Sequence, residues 1–371
     1  MKKYLFLFAM LLVALSACES GPIDMNTIIH ADGTCRREIC FKADSAALAD
    51  GSIKAHSNIL DILNNDGWTY EVQDTLWVKA CRDFSSPDEM AEAMPLQVAG
   101  HQVRSKAKLE KRFRWFYTDY IYTETFESIA PTFVIPLTNY MEKDMADYWL
   151  TGTPDVMKGY SGLEMKDYLD SMEDAYLHFV NANILNDLMD VLAEHYDDIA
   201  KVPVSKEEFL ARKSELIAQA DKMSTDVLNF EPEKLLAETF KTEAYNQALK
   251  DDPVISEAWE QRQNVYVSLL MLEVDYQLTM PGGIIEVLKC GDGVFRDGEL
   301  HYRLNGMRLL APCYSIKATS SGKNNWALYL SLAVVLLAIG LGIYFLFRSR
   351  IRENSLFNFR KNSTKLSKSE T

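Results

Sequence analysis

Residues 326–347 read WALYLSLAVVLLAIGLGIYFLF, from Trp326 to Phe347, without one charge. As a helix at 1.5 Å per residue the run covers about 30 Å, the thickness of a bilayer's hydrocarbon core, and it is expected to span a membrane. The competing reading is a buried helix of a soluble domain, which seldom stays uncharged over such a length. Trp326 and Tyr329 stand at one end and Tyr344 near the other, where aromatic rings favour the headgroup level. Arg348, Arg350, Arg352, Arg360, Lys361, Lys365 and Lys368 follow, against Glu353 and Glu370, whereas the preceding flank offers Lys317 and Lys323. That cationic excess places residues 348–371 in the cytoplasm and the bulk of the chain outside it.

The other end carries a second expected attachment. Lys2 and Lys3 precede an apolar stretch from Tyr4 to Leu15 that is too short to span, and Leu15-Ser16-Ala17-Cys18 matches the bacterial lipobox. Residues 1–17 are then a cleaved leader, and the Cys18 thiol carries acyl chains, several of which on one cysteine hold firmly. A lone membrane-crossing α-helix belongs in the inner membrane, since outer membranes are populated by closed barrels. A compact fold of about 300 residues has a radius of gyration near 19 Å. The lipid on Cys18 is therefore expected in the same inner membrane, with the main domain periplasmic. A helical stalk reaching the outer membrane is the alternative.

Without the two leader lysines and the tail's seven basic and two acidic residues, 30 basic and 51 acidic residues are left, a net charge of −21. That balance argues against nucleic acid as a partner and against close apposition to an anionic lipid surface. With Cys18 consumed by lipid, Cys35, Cys40, Cys81, Cys290 and Cys313 form an odd set in a compartment that permits disulfides, so at least one lacks a partner within the chain. Cys35-Arg-Arg-Glu-Ile-Cys40 is not a CxxC motif, and Cys290 and Cys313 fall in separate expected strands. Buried thiols or a structural bridge fit better than metal ligation, and no cofactor is expected.

Asp32-Gly33, Asp50-Gly51, Asp66-Gly67, Asp292-Gly293, Asp297-Gly298 and Asn305-Gly306 are turn dipeptides clustered towards the two ends of the outward part. Strands are expected around Thr27–Ala31, Cys35–Lys42, Leu76–Arg82, the second half of Tyr266–Met280, Ile284–Lys289, Leu300–Leu304 and Leu309–Ile316. Helices are expected over Ser45–Leu63, Gly162–Ile199, Lys206–Met223, Glu233–Lys250 and Val254–Asn264. In the longest of these, Leu177, Val180, Ile184, Leu188, Val191 and Leu192 recur at three- and four-residue steps. The expected class is α+β: an antiparallel sheet built from N- and C-terminal segments with a large helical insertion, plus one C-terminal transmembrane helix. The corresponding divisions are residues 18–138, the insertion 139–264, the completing strands 265–318, a linker 319–325, the helix 326–347 and the tail 348–371.

Leu109 to Phe126, LEKRFRWFYTDYIYTETF, is the densest aromatic block. Leu109, Phe113, Trp115 and Tyr117 share one parity and Phe116, Tyr120, Tyr122 and Phe126 the other, so one strand with a bulge or bend near Tyr117 is expected. Arg112 and Arg114 beside such rings suggest a stacking platform for a sugar or base. A twisted strand serving as the sheet's core explains the same pattern.

The motifs of known chemistry are missing or misplaced. His30, His56, His101, His178, His195 and His301 are scattered, without an HExxH pair. Asp187, Asp190, Glu194, His195, Asp197 and Asp198 could gather a divalent ion on one helix, though a solvated acidic face explains them as well. Gly159-Tyr160-Ser161-Gly162 misses the GxSxG elbow by one position, and Ser320-Ser321-Gly322-Lys323 matches SxxK without its companion motifs. Gly291-Asp292-Gly293 and Gly298 have the wrong spacing for a dinucleotide. Glu124 and Glu127 near Trp115 are the one candidate acid and base pair.

Arg114-Trp115-Phe116-Tyr117-Thr118 and Met280-Pro281-Gly282-Gly283-Ile284 resemble blocks in bacterial lipoproteins of unassigned activity that end in a membrane helix. The layout of about Pro22 to Asp83 and Tyr266 to Phe347 is similar to LppM-like (DUF3153) lipoproteins, which implies a lipid-associated envelope domain. The strand that carries a tryptophan in that family reads Leu300-His301-Tyr302-Arg303-Leu304 here, and no functional residue of the family maps onto a position of this chain. The expected function is binding or scaffolding in the cell envelope, with an envelope protein or lipid as ligand. A hydrolase or transferase using carboxylates, and a transmembrane sensor, are the alternatives.

Overall fold

The computed structural model describes residues 23–42, 67–73, 77–98, 101–222, 230–282, 284–286, 293–296 and 299–367. The leader, Cys18, Cys290 and the expected helix Ser45–Leu63 lie outside the described residues. In chain order the elements begin with β1 (Ile23–Ile29), β2 (Cys35–Lys42), β3 (Thr69–Val72), β4 (Trp77–Phe84) and α1 (Pro87–Ala93). They continue with β5 (Leu96–Val98), β6 (His101–Val103), β7 (Ser105–Phe113), β8 (Tyr117–Phe126), α2 (Lys143–Thr151) and α3 (Gly162–Glu194). After these come α4 (Lys206–Ala211), α5 (Lys213–Ala220), α6 (Pro232–Phe240), α7 (Ala244–Asp251) and α8 (Pro253–Met271). The last are β9 (Glu273–Thr279), β10 (Ile284–Glu286), β11 (Val294–Arg296), β12 (Glu299–Asn305), α9 (Gly306–Leu309), β13 (Tyr314–Lys323) and α10 (Asn325–Ser367).

The class is α+β with mixed and antiparallel sheets. Among the described residues three sheets form in place of the single expected one: β11-β12-β9-β1-β2-β4-β3, β10-β13-β8-β7 and β5-β6. The first is mixed, because β1 and β9 run parallel with Met25 opposite Tyr276. Local turn dipeptides can join only antiparallel neighbours, whereas a parallel pair needs a long crossover, which everything between β1 and β9 supplies. The Asp32-Gly33 turn behaves as its sequence demands: Gly33 adopts φ 102° and donates its N–H to His30 at 3.0 Å, closing the β1–β2 hairpin.

Several boundaries move. The expected helix Lys206–Met223 is two helices meeting at Arg212, and Glu233–Lys250 is broken at Lys241, whose φ of 51° ends α6. Leu309–Ile316 is not one strand, since Asn305 accepts from the Arg308 N–H at 3.0 Å and caps α9 before β13 begins. Residues 319–323 are strand, leaving little of the expected linker.

The described chain divides into two compact units, one running through Glu110 and from Tyr120 to Ser320, the other Lys111–Asp119 with the chain from Ser321 onward. In the first, α3 is the central helix: of the periodic residues Val180, Ile184, Leu188, Val191 and Leu192 are buried and Leu177 half-buried. Every residue from Phe179 to Asn186 is buried with them, so the helix is covered on all sides there rather than along one stripe. Beyond its end Tyr196, Phe209, Phe240 and Tyr245 form an aromatic knot, with the Tyr196 and Tyr245 hydroxyls 3.0 Å apart. Ser161, the near-miss elbow serine, has a different job. It accepts from the Glu164 N–H while Glu164 accepts from the Ser161 N–H, a capping box that starts α3.

Candidate functional site

The strongest concentration of chemistry in the first unit is a buried ionic cluster between the two large sheets. Strand alternation dictates it. Arg37 shares the inward parity of Cys35, Ile39 and Phe41 on β2, and Glu124 shares that of Tyr122 and Phe126 on β8. Two apolar faces meet, each carrying one charge that must be paired or unbearably costly. The Arg37 Nη2 donates to both Glu124 oxygens, at 3.3 and 3.2 Å. Ser105 donates to Oε1 at 2.9 Å, and Tyr122 and Tyr276 donate to Oε2 at 2.8 and 2.6 Å. Thr27 in turn donates to the Tyr276 hydroxyl at 2.9 Å, and the guanidinium lies 5.3 Å from the Tyr276 ring centroid.

Burial by itself would raise the Glu124 pKa, but Arg37 and the three hydroxyl donors outweigh it and hold the carboxyl below its usual range. The same desolvation, with Glu124 beside them, pushes the Tyr122 and Tyr276 phenols up. A carboxylate accepts at about four lone-pair positions, and those of Glu124 are taken. Glu124 is therefore a carboxylate held in its ionised form by its partners and sealed from solvent. Glu127, its expected partner, is exposed beyond the end of β8, and the structure does not bring the two together.

The remaining candidates disperse. Cys35, Cys40, Cys81 and Cys313 are free thiols. Cys35 is buried against Met90, where desolvation raises its thiol to about 11, and Cys313 is exposed. Cys40 stands opposite Lys79 and Cys81 opposite Glu38 on the outer face of β2 and β4, around a Lys79–Glu38 ion pair of 2.9 Å. The acidic row on α3 is drawn into packing: Tyr266 donates to Asp187 at 2.6 Å, Lys213 reaches Asp190 at 2.6 Å and Arg262 approaches Glu194 at 3.8 Å. Among the described residues no group of three or more metal-ligating side chains gathers.

The second unit holds the other concentration. The aromatic block is a hairpin rather than one bulged strand: the Arg114 N–H donates to the Tyr117 carbonyl at 2.7 Å and the Tyr117 N–H returns to Arg114 at 3.1 Å, leaving Trp115 and Phe116 as a two-residue loop. The parity switch marked a reversal of the chain. Asn324, the residue before α10, clasps that loop. Its N–H donates to the Phe116 carbonyl at 2.9 Å, its side-chain amide to the Arg114 and Trp115 carbonyls at 2.8 and 3.3 Å, and its Oδ1 accepts from Thr118 at 2.9 Å. The Trp326 ring stacks on Phe113 at 6.2 Å and meets Trp115 edge-on at 5.6 Å. Trp115 Nε1 donates to Ser331 Oγ at 2.8 Å.

No family model, curated protein or solved structure matches this chain. What it can do rests on its own residues. In α10 the stretch Asn325–Arg350 is long and apolar enough to cross a membrane, and from Leu332 onward it is exposed. Sequence reasoning missed both the Arg37–Glu124 pair and the clasp. The signal for the first was legible: one charge on the apolar parity of each of two strands. The clasp joins residues more than two hundred positions apart, and no local pattern announces it.

Proposed function

We propose that this chain is an envelope protein of the bacterial inner membrane, anchored by α10 and by lipid on Cys18, whose outward domain binds or scaffolds rather than catalyses. The observation that carries the reading is the charge-free run Trp326–Phe347 of α10, exposed along its length apart from Ala327 and the half-buried Ser331, which water would not tolerate uncovered. The cations that follow it support a cytoplasmic tail. The partner sought is an envelope protein or lipid. The alternative of Glu124 and Glu127 as an acid and base pair draws no support from a carboxylate saturated by Arg37, Ser105, Tyr122 and Tyr276.

Two measurements test this. Protease added to spheroplasts should digest the outward domain and leave a fragment containing α10 in the membrane fraction. Metabolic labelling with an alkynyl fatty acid should mark the chain and be lost in Cys18→Ser. An intact chain after protease, or recovery in a salt-washed supernatant, overturns the anchoring. Labelling that persists in the variant overturns the lipid site.

A further inference from the structure

We propose that the Trp115–Phe116 hairpin tip is a second membrane contact, lying in the headgroup region of an anionic bilayer beside α10. The inference rests on the anchoring reading above and adds to it a lipid-binding site on residues 111–119. Depth is the first argument. Ser331 is six residues beyond Asn325 in α10, about 9 Å along the axis at 1.5 Å per residue. Trp115 Nε1 donates to its hydroxyl, so whatever depth Ser331 takes in the bilayer the indole takes too.

Exposure is the second argument. Phe113, Trp115, Phe116 and Tyr117 are between 43 and 60 % exposed, an apolar patch continuous with the uncovered face of α10 through the Trp326 stack. A two-residue hairpin loop made of a tryptophan and a phenylalanine is unfavourable in water, where such loops carry glycine and asparagine. Indole and phenyl rings suit the boundary between headgroups and acyl chains. Charge is the third. From Arg104 to Arg114 the sequence holds six basic residues and one acidic one, and Lys323 precedes the helix, in an outward part whose net charge is −21. The net charge conceals a basic stretch leading to the aromatic tip, and anionic headgroups complement it.

The full chain, reconstituted into vesicles of phosphatidylcholine and phosphatidylglycerol with acyl chains brominated near the headgroup, gives the test by quenching of tryptophan emission. W326F and W115F should each remove part of the quenched emission, and W115F/F116W should restore it, which a misfolded chain would not. Neutralising Lys111 and Arg112 with glutamine should weaken partition of the tip about fivefold per charge in anionic vesicles. If W326F lowers the quenched share and W115F does not, the tip is outside the bilayer and the inference falls while the anchor stands. If neither variant changes it, α10 is not inserted and both fall. Equal quenching of the Trp115 contribution with and without phosphatidylglycerol overturns the anionic assignment.

Discussion

At the sheet end of β8, Tyr122 and Glu124 are sealed beneath Arg37 and Tyr276; at the hairpin tip Trp115, Phe116 and Arg114 stand in the open. Residue types are nearly the same, since both places combine aromatic rings with arginine and a carboxylate. In the first, four donors converge on one anion, and removing the anion or the arginine strands a charge in a medium that cannot solvate it. In the second, the Arg114–Asp119 pair at 2.8 Å is largely exposed on its arginine side and counts for little. The rings at the tip have no core to lose. Composition therefore says nothing about which end holds the fold together and which is free for a partner; burial decides it.

The comparison can be broken most sharply at Glu124. Glu124→Ala leaves the Arg37 guanidinium buried without its counter-charge and should cost about 3–5 kcal/mol in chemical denaturation of the full chain in detergent. Replacing both members, as in R37M/E124L, should recover most of that loss; a double variant as unstable as the single one would show that shape, not charge, sets the effect.

Acid should sharpen the same contrast. Because the folded-state pKa of Glu124 lies below the unfolded value of about 4.3, its contribution is fully present above that pH and is lost as pH falls through the folded value. Denaturation midpoints followed from neutral pH downward should decline in the parent and flatten in E124Q.

In the second unit, Asn324→Ala removes three side-chain hydrogen bonds around the hairpin loop, a cost of about 2 kcal/mol. The change should appear in hydrogen exchange as lost protection across residues 111–119, with β2 unaffected. The smallest effect is expected at the tip itself: Phe116→Ser should move the unfolding midpoint by less than about 0.5 kcal/mol, as for exposed positions elsewhere. A loss comparable to that of E124A would mean that the rings are core after all.

How much of this was legible beforehand varies with the range of the interaction. The Asp32-Gly33 hairpin, the long helix α3 and the strand after Met271 follow from patterns a few residues long, and they stand where the sequence places them, although α3 is buried all round over Phe179–Asn186 rather than on one face. The helices that split at Arg212 and Lys241 did not announce their breaks, because periodicity continues through a single residue that turns the chain. Leu109–Phe126 gave the right anomaly and the wrong reading: a bulge and a two-residue reversal both switch parity, and only the cross-strand bonds of Arg114 with Tyr117 distinguish them. Glu124 stood out early but beside Glu127, its neighbour in sequence, when its partner in space is Arg37 on a strand 87 residues away.

Read alone, the sequence determined the class, the apolar span of α10 and the switch of parity within Leu109–Phe126, since these depend on hydrophobicity and on periods of 2 and 3.6 residues that any short segment carries within itself. Tertiary structure alone decided that β1 and β9 run parallel, that Arg37 finds Glu124 and that Asn324 holds the hairpin loop. Each of those joins distant segments by hydrogen bonds or a charge pair whose geometry exists only after the elements have packed.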